Sequence, residues 1–257
     1  MQKLLLFLFL LVILQPQGFA QETTNPEPVT EGSIRYLVTH NWTKKMAALS
    51  YMSKQQKERA AYMWGTRSEW LVYTVLYFNP TQSKYVDSEE RAQPDDEGYS
   101  WRKEAFYTKR DYAQNTVQDA ITMQGKTYLI LDSLRCQDWK ILNDLKEVAG
   151  HLCMNASWED TLKQQKIVAW FALDIPHPGG PERLCGLPGL ILEADVNQGA
   201  MIMTANRIEG KKLTTELDLP KKTKGKKVNE AEYRAALKKI VDEALEEERP
   251  FFWDIRY

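Results

Sequence analysis

The sequence predicts a mainly β fold: a curved antiparallel sheet or half-barrel with one or two packed helices, one of them C-terminal. Three observations carry this. Short runs rich in β-branched and aromatic residues recur from Ser33 onward. Polar turns separate these runs at regular spacing. The clearest amphipathic helix is confined to the C-terminal end. An α+β sandwich with its helices segregated to one face is the competing architecture.

Each element has its own signal. Ser33 to Thr39 alternates Ile34, Tyr36 and Val38 with Ser33, Arg35 and Leu37, as a first strand does. Thr43 to Trp64 is helical at least in part, with Ser53 and Gln56 placed as a capping box and Gly65 ending it. Glu69 to Phe78 is a second strand, broken at Asn79-Pro80. Ser88 to Gly98 is an acidic loop. Strands follow at Trp101 to Thr108, Tyr112 to Met123 and Thr127 to Leu131, with Gln124-Gly125-Lys126 as a hairpin turn. Further strands are expected at Trp139 to Leu142, Val148 to Trp158, Lys166 to Leu173, Leu190 to Val196 and Ala200 to Ile208. Asn197-Gln198-Gly199 joins the last two.

Leu213 to Val228 reads as a lysine-rich, solvated connector. Asn229 to Glu247 is the helix, capped by Asn229 with Glu232 closing the box. Its apolar stripe is Tyr233, Leu237, Ile240, Val241 and Ala244, and Pro250 terminates it. The tail residues Phe251, Phe252, Trp253 and Tyr257 are expected to pack back on the sheet.

The chain has 257 residues, with 34 Lys and Arg against 35 Asp and Glu. That balance leaves no basic excess for phosphate neutralisation, so nucleic acid is not an expected partner. Lys3 followed by the apolar run Leu4 to Leu14, with Gly18 and Ala20 at small-residue positions, reads as an export signal cut after Ala20. Residues 21–30 then form a flexible lead, 31–212 the β-rich domain, 213–228 the connector, and 229–257 the helix and tail. Nothing after the signal is apolar for long enough to span a membrane. The expected location is the periplasm or the exterior.

Gly186-Leu187-Pro188-Gly189-Leu190-Ile191 resembles the motif that names the GLPGLI family of exported Bacteroidetes proteins. The flanks are similar too: Ala169-Trp170-Phe171, Ile175-Pro176, Gly180-Pro181, and Gly150-His151-Leu152-Cys153. The resemblance covers roughly Ser33 to Glu209 and implies export and a mainly β fold. It carries over no catalytic residues, ligand or cofactor. Physically, the two motif glycines permit close chain approach around Pro188, and Leu190 and Ile191 call for burial.

The cysteines Cys136, Cys153 and Cys185 leave three pairings open. Cys153–Cys185 is favoured because both flank segments that resemble the family, which leaves Cys136 over. His151, Cys153, His177 and Cys185 form the alternative, a soft-metal or thiol-dependent site, provided that two distant loops converge. Glu193 and Asp195 alternate on one strand and suit a solvated face as well as a carboxylate pair. No nucleophile elbow, zinc-protease helix or phosphate loop is present. Asn41-Trp42-Thr43 and Asn155-Ala156-Ser157 match the glycosylation pattern by coincidence in a chain of this type. The leading expectation is therefore a non-catalytic exported binding or accessory protein. An apolar small molecule on the sheet's concave face, or an envelope protein such as an outer-membrane transport system, would be its partner.

Overall fold

The computed structural model describes residues 29–65, 68–93 and 104–257. The expected signal, most of the lead, the end of the acidic loop and the start of the strand placed at Trp101 lie outside these residues. Twelve strands form one sheet: β1 (Gly32–Asn41), β2 (Glu69–Asn79), β3 (Gln82–Asp87), β4 (Tyr107–Asp111), β5 (Thr116–Met123), β6 (Lys126–Ser133), β7 (Lys140–Val148), β8 (His151–Asp160), β9 (Gln165–Ala172), β10 (Leu190–Val196), β11 (Met201–Gly210) and β12 (Lys226–Val228). The helices are α1 (Trp42–Ala47), α2 (Lys54–Trp64) and α3 (Glu230–Glu246), followed by one 3-10 turn over Phe251–Trp253.

The strand order is β12-β6-β5-β4-β3-β2-β1-β11-β10-β9-β8-β7. The two ends, β12 and β7, do not pair, so the sheet is open. Every neighbouring pair is antiparallel except β12 with β6. The register gives the sheet one dry face. His40 faces Trp70 and Met201, Val38 faces Val72 and Met203, and Leu76 faces Tyr85. Facing pairs share a side and alternate residues share a side, so Ile34, Tyr36, Val38 and His40 point into the same interior as Val72, Leu76 and Phe78. These residues are buried, whereas the intervening positions of β1 and β2 are only partly so. The stripe of α3, with Tyr233, Leu237, Ile240, Val241 and Ala244 all buried, joins the same core, as do Phe251, Phe252, Ile255 and Tyr257 of the tail.

Several expectations are refined. The predicted helix over Thr43–Trp64 is two helices, because the chain leaves helical geometry between Ala48 and Ser53. Ser53 then caps α2 and forms the capping box with Gln56. Asn229 and Glu232 form the same box on α3. The strand β3 follows Asn79-Pro80 after a two-residue turn, where sequence reading placed only a break. The strand expected from Tyr112 starts at Thr116, after a turn that leaves β4. The strand at Trp139 runs instead to Val148, and β8 starts at His151. Ala149 and Gly150 between them both adopt positive φ, the requirement of a tight hairpin turn. Gln124 and Gly125 do the same between β5 and β6. The connector is not wholly solvated: its last three residues form β12.

Candidate functional site

The motif stretch is a corner that plugs the interior. Leu187, Leu190 and Ile191 are at most 2% exposed. Gly189 passes so close to β9 that a Cβ there would stand 2.0 Å from the Ala172 carbonyl oxygen. Gly186 has φ +96°, and a Cβ on it would meet the Cys136 side chain at 2.6 Å. The corner is held by backbone bonds from Leu190 to the Ile175 carbonyl (3.0 Å) and from Ile191 to that of Gly179 (3.1 Å). The buried Tyr36 hydroxyl donates to the Ile191 carbonyl at 2.6 Å. Every one of these contacts is structural, and the motif carries no reactive group.

The disulfide joins Cys136 to Cys185, not Cys153 to Cys185. Its reason is local. Gln137 accepts from the Cys185 N–H (2.9 Å) and donates to the Arg183 carbonyl (3.2 Å), while Trp139 donates to the Cys185 carbonyl (2.8 Å). The segment between β6 and β7 is thereby laid along the loop that leads into the motif. Cys153 is a free, buried thiol, and burial pushes it up to about 11.

The metal set is corrected by the same bond, since a disulfide sulfur is no thiolate ligand. His151 Nδ1 lies 2.7 Å from an oxygen of Asp174. His177 is 3% exposed between the rings of Phe78 and Tyr112, each 5.2 Å away, and its Nδ1 accepts from the Gly179 N–H. Burial draws His177 down to about 4, so it is neutral at pH 7. Among the described residues no group of three His, Cys, Asp or Glu side chains converges to hold a metal ion. Asn155, in one of the two glycosylation-like triplets, is 3% exposed and bonded to Asp144, which closes it to modification. Glu193 does not pair with Asp195; it accepts from Lys146 and Thr204.

Two of the cavities among the described residues bear on function. One, of about 390 Å³, lies between the dry face of the sheet and α3. Its wall is a charge network. Asp119, fully buried, accepts from Arg110 and Arg183, and Arg183 continues to Glu230 at the start of α3. Arg256 donates to both Asp87 and Glu182. Arg110, Arg183 and Arg256 each have an acid, so the network fastens the helix and the tail to the sheet.

The second cavity, of about 670 Å³, is an aromatic cleft formed by α1, the end of α2, the start of β2, the β5–β6 turn and the C-terminal tail. Trp42 is its centre. It stacks on Trp253 (4.8 Å) and Trp70 (6.2 Å) and tilts against Trp64 (6.1 Å) and Phe252 (6.3 Å). Asn41 places it: its side chain caps α1 by accepting from the Lys44 N–H, so Trp42 becomes the first helical residue. Trp253 is 55% exposed at the rim. Inside, Lys45 is 2% exposed, with Nζ 2.8 Å from His40 Nδ1. Burial first, and then the charge of Lys163, pulls its amine down to about 7. His40 is held well below its ordinary value by burial first, then by Lys45 and Arg256. Sequence reading reached the tail aromatics but not the cleft. Trp42, Trp70 and Trp253 come from elements far apart in the chain, and only the register of β1 against β2 brings the first two together.

The fold and cleft together define an open antiparallel sheet carrying an aromatic site at one end. The family described as "Protein of unknown function (Porph_ging)" matches residues 146–193, which span β8, β9 and the motif corner. No curated protein matches the chain. Among solved structures, PNGF-II in one crystal form is similar over 80% of this chain and 32% of its own, at 11% identity and TM-score 0.54. In a second form it is similar over 80% and 33%, at 12% identity and TM-score 0.50. The chain thus spans about a third of the length of PNGF-II, and the likeness is one of fold.

Proposed function

We propose that this chain is an exported, non-catalytic binding or accessory protein of the GLPGLI type, which holds an apolar molecule in the aromatic cleft. One observation carries the reading: a cavity of about 670 Å³ walled by Trp42, Trp64, Trp70, Phe252, Trp253 and Tyr257. Stacked indoles offer large, flat apolar area with little side-chain freedom to lose, which is what a site for a small apolar ligand needs. The family match over residues 146–193 and the motif at Gly186–Ile191 support the GLPGLI assignment. The apolar run Leu4–Leu14 supports export, and among the described residues no helix is long and apolar enough to cross a membrane.

The test has two arms. Native mass spectrometry of protein recovered from its own cells is expected to show a bound small molecule that organic extraction removes. Titration of the stripped protein with long-chain alcohols is expected to quench tryptophan fluorescence in the intact chain and not in Trp42→Ala. Equal quenching of both proteins would place binding elsewhere. Fractionation that leaves the full-length, uncut chain in the cytoplasm would remove the export reading.

A further inference from the structure

The aromatic cleft already holds a cation of its own. The Lys45 Nζ sits 4.5 Å from the centre of the Trp42 ring and 4.4 Å from that of Tyr257, with Phe252 at 5.8 Å. A cage of rings ordinarily recruits a cation from a ligand, and here that position is taken by the protein. Among the described residues no carboxylate forms an ion pair with Lys45. The neighbouring charge that acts on it is Lys163, of the same sign. Its polar neighbour is His40, a neutral imidazole. A buried ammonium without a counter-ion is costly, and the cost is relieved by any anion that can reach it.

Resting on the apolar-site reading above, we infer that the ligand is an amphipathic monocarboxylate whose apolar body lies along the tryptophans and whose carboxylate pairs with Lys45. The single positive charge sets the valence. Arg256 also borders the cleft, but it already donates to Asp87 and Glu182. Glu69, Glu104 and Asp254 stand on the same wall. One ammonium among these acids suits a monoanion and disfavours a phosphate dianion, which needs several donors. The apolar partners explain why the lysine is kept: an anion entering this dry site meets few competing water molecules, so its pairing is stronger than on the surface.

The pairing is coupled to protons. An anion favours the ammonium over the free amine, so binding draws a proton onto Lys45 and weakens as the pH rises past neutrality. The other groups that touch Lys45 do not titrate there: His40 stays neutral, and burial pushes the Tyr257 hydroxyl up to about 12.

The experiment compares dodecanoate with dodecanol, which share a chain and differ in the head group, by tryptophan quenching of the full chain at pH 6.5 and pH 9. At pH 6.5 the acid is expected to bind about tenfold tighter than the alcohol, as a charge-assisted pair in a dry site implies. At pH 9 the preference shrinks by severalfold. Lys45→Met loses the preference while keeping alcohol binding, which also shows that the variant is folded. Lys45→Arg, which retains the charge, keeps the preference and loses its pH dependence between these values. Equal binding of acid and alcohol to the unaltered protein would overturn the inference and leave the apolar site standing. Failure of both to bind would remove the apolar site itself.

Discussion

Replacing Lys45 by Met is expected to make the protein more stable at neutral pH, and the size of the gain follows from the burial of one amine. In the unfolded chain Lys45 titrates at 10.5; in the folded chain burial brings it to about 7. Between those two values the unfolded state holds more protons than the folded one, so stability rises with pH across that window. Below pH 7 both states are protonated and the full penalty is present. At about 1.4 kcal/mol per pH unit, the fall gives a ceiling of ~5 kcal/mol. The rings of Trp42 and Tyr257 return ~1–2 kcal/mol each when desolvated. The bond to His40, lost with the amine, returns ~1 kcal/mol more, so what remains is up to ~2 kcal/mol, which Met, with a stem of similar length and an affinity for aromatic rings, recovers. Urea melts of both proteins at pH 6.5 and pH 10.5 measure it. The expected result is a midpoint raised by up to ~2 kcal/mol equivalent at pH 6.5 and not raised at pH 10.5. A destabilised variant at pH 6.5, or a gain of equal size at both pH values, would refute the reasoning that Lys45 is a buried, uncompensated cation.

Other perturbations probe the corner and the cysteines. Reduction of Cys136–Cys185, which are 49 residues apart, is expected to cost ~2–4 kcal/mol by restoring chain entropy to the unfolded state, seen as a lower thermal midpoint with reductant. Cys153 is expected to resist iodoacetamide at pH 8 in the native protein and to be the only cysteine alkylated after unfolding without reductant, by peptide mass mapping. Gly189→Ala places a methyl group 2.0 Å from the Ala172 carbonyl oxygen, so β9 or the corner must move. The expected loss is ~2–4 kcal/mol in a denaturant melt, whereas Pro188→Ala, with Pro188 exposed, is expected to lose ~1 kcal/mol or less.

How far these features could be read from the sequence depends on how local their causes are. The capping boxes at Ser53–Gln56 and Asn229–Glu232 span four residues each, and both form where their residue types place them. The stripe of α3 has the 3.6-residue period, and all five of its predicted residues are buried. The burial of Leu190 and Ile191 is legible because nothing polar flanks them to argue for exposure. β3 is not legible: Ser83, Lys84 and Asp87 give it a polar look, and its place in the sheet is fixed by pairing with β2 and β4 rather than by its own composition. The same holds for β12, three residues of which two are lysines, recruited because β6 offers an edge. The disulfide is illegible for another reason. Cys136 and Cys185 lie outside strands, and what brings them together is the side-chain bonding of Gln137 and Trp139 to the motif loop.

Lys45 shows why a site can be missed even when each of its residues is in plain view. On the sequence it is one of two lysines in a short helix, beside Lys44, and the ordinary expectation for either is solvent. Asn41 decides between them. By capping α1 it fixes which residue begins the helix, and the helical turn then sends Trp42 and Lys45, three apart, to one side. Lys44 emerges exposed and Lys45 is 2% exposed beneath the C-terminal rings. The cost of burying that amine falls on a segment whose three aromatic rings would pack as well on an apolar chain; what the amine gives in return is its bond to His40. A buried ammonium with no counter-ion among the described residues is what an anion-binding site looks like before its ligand arrives. The motif glycines answer to packing alone; the lysine answers to something outside the chain.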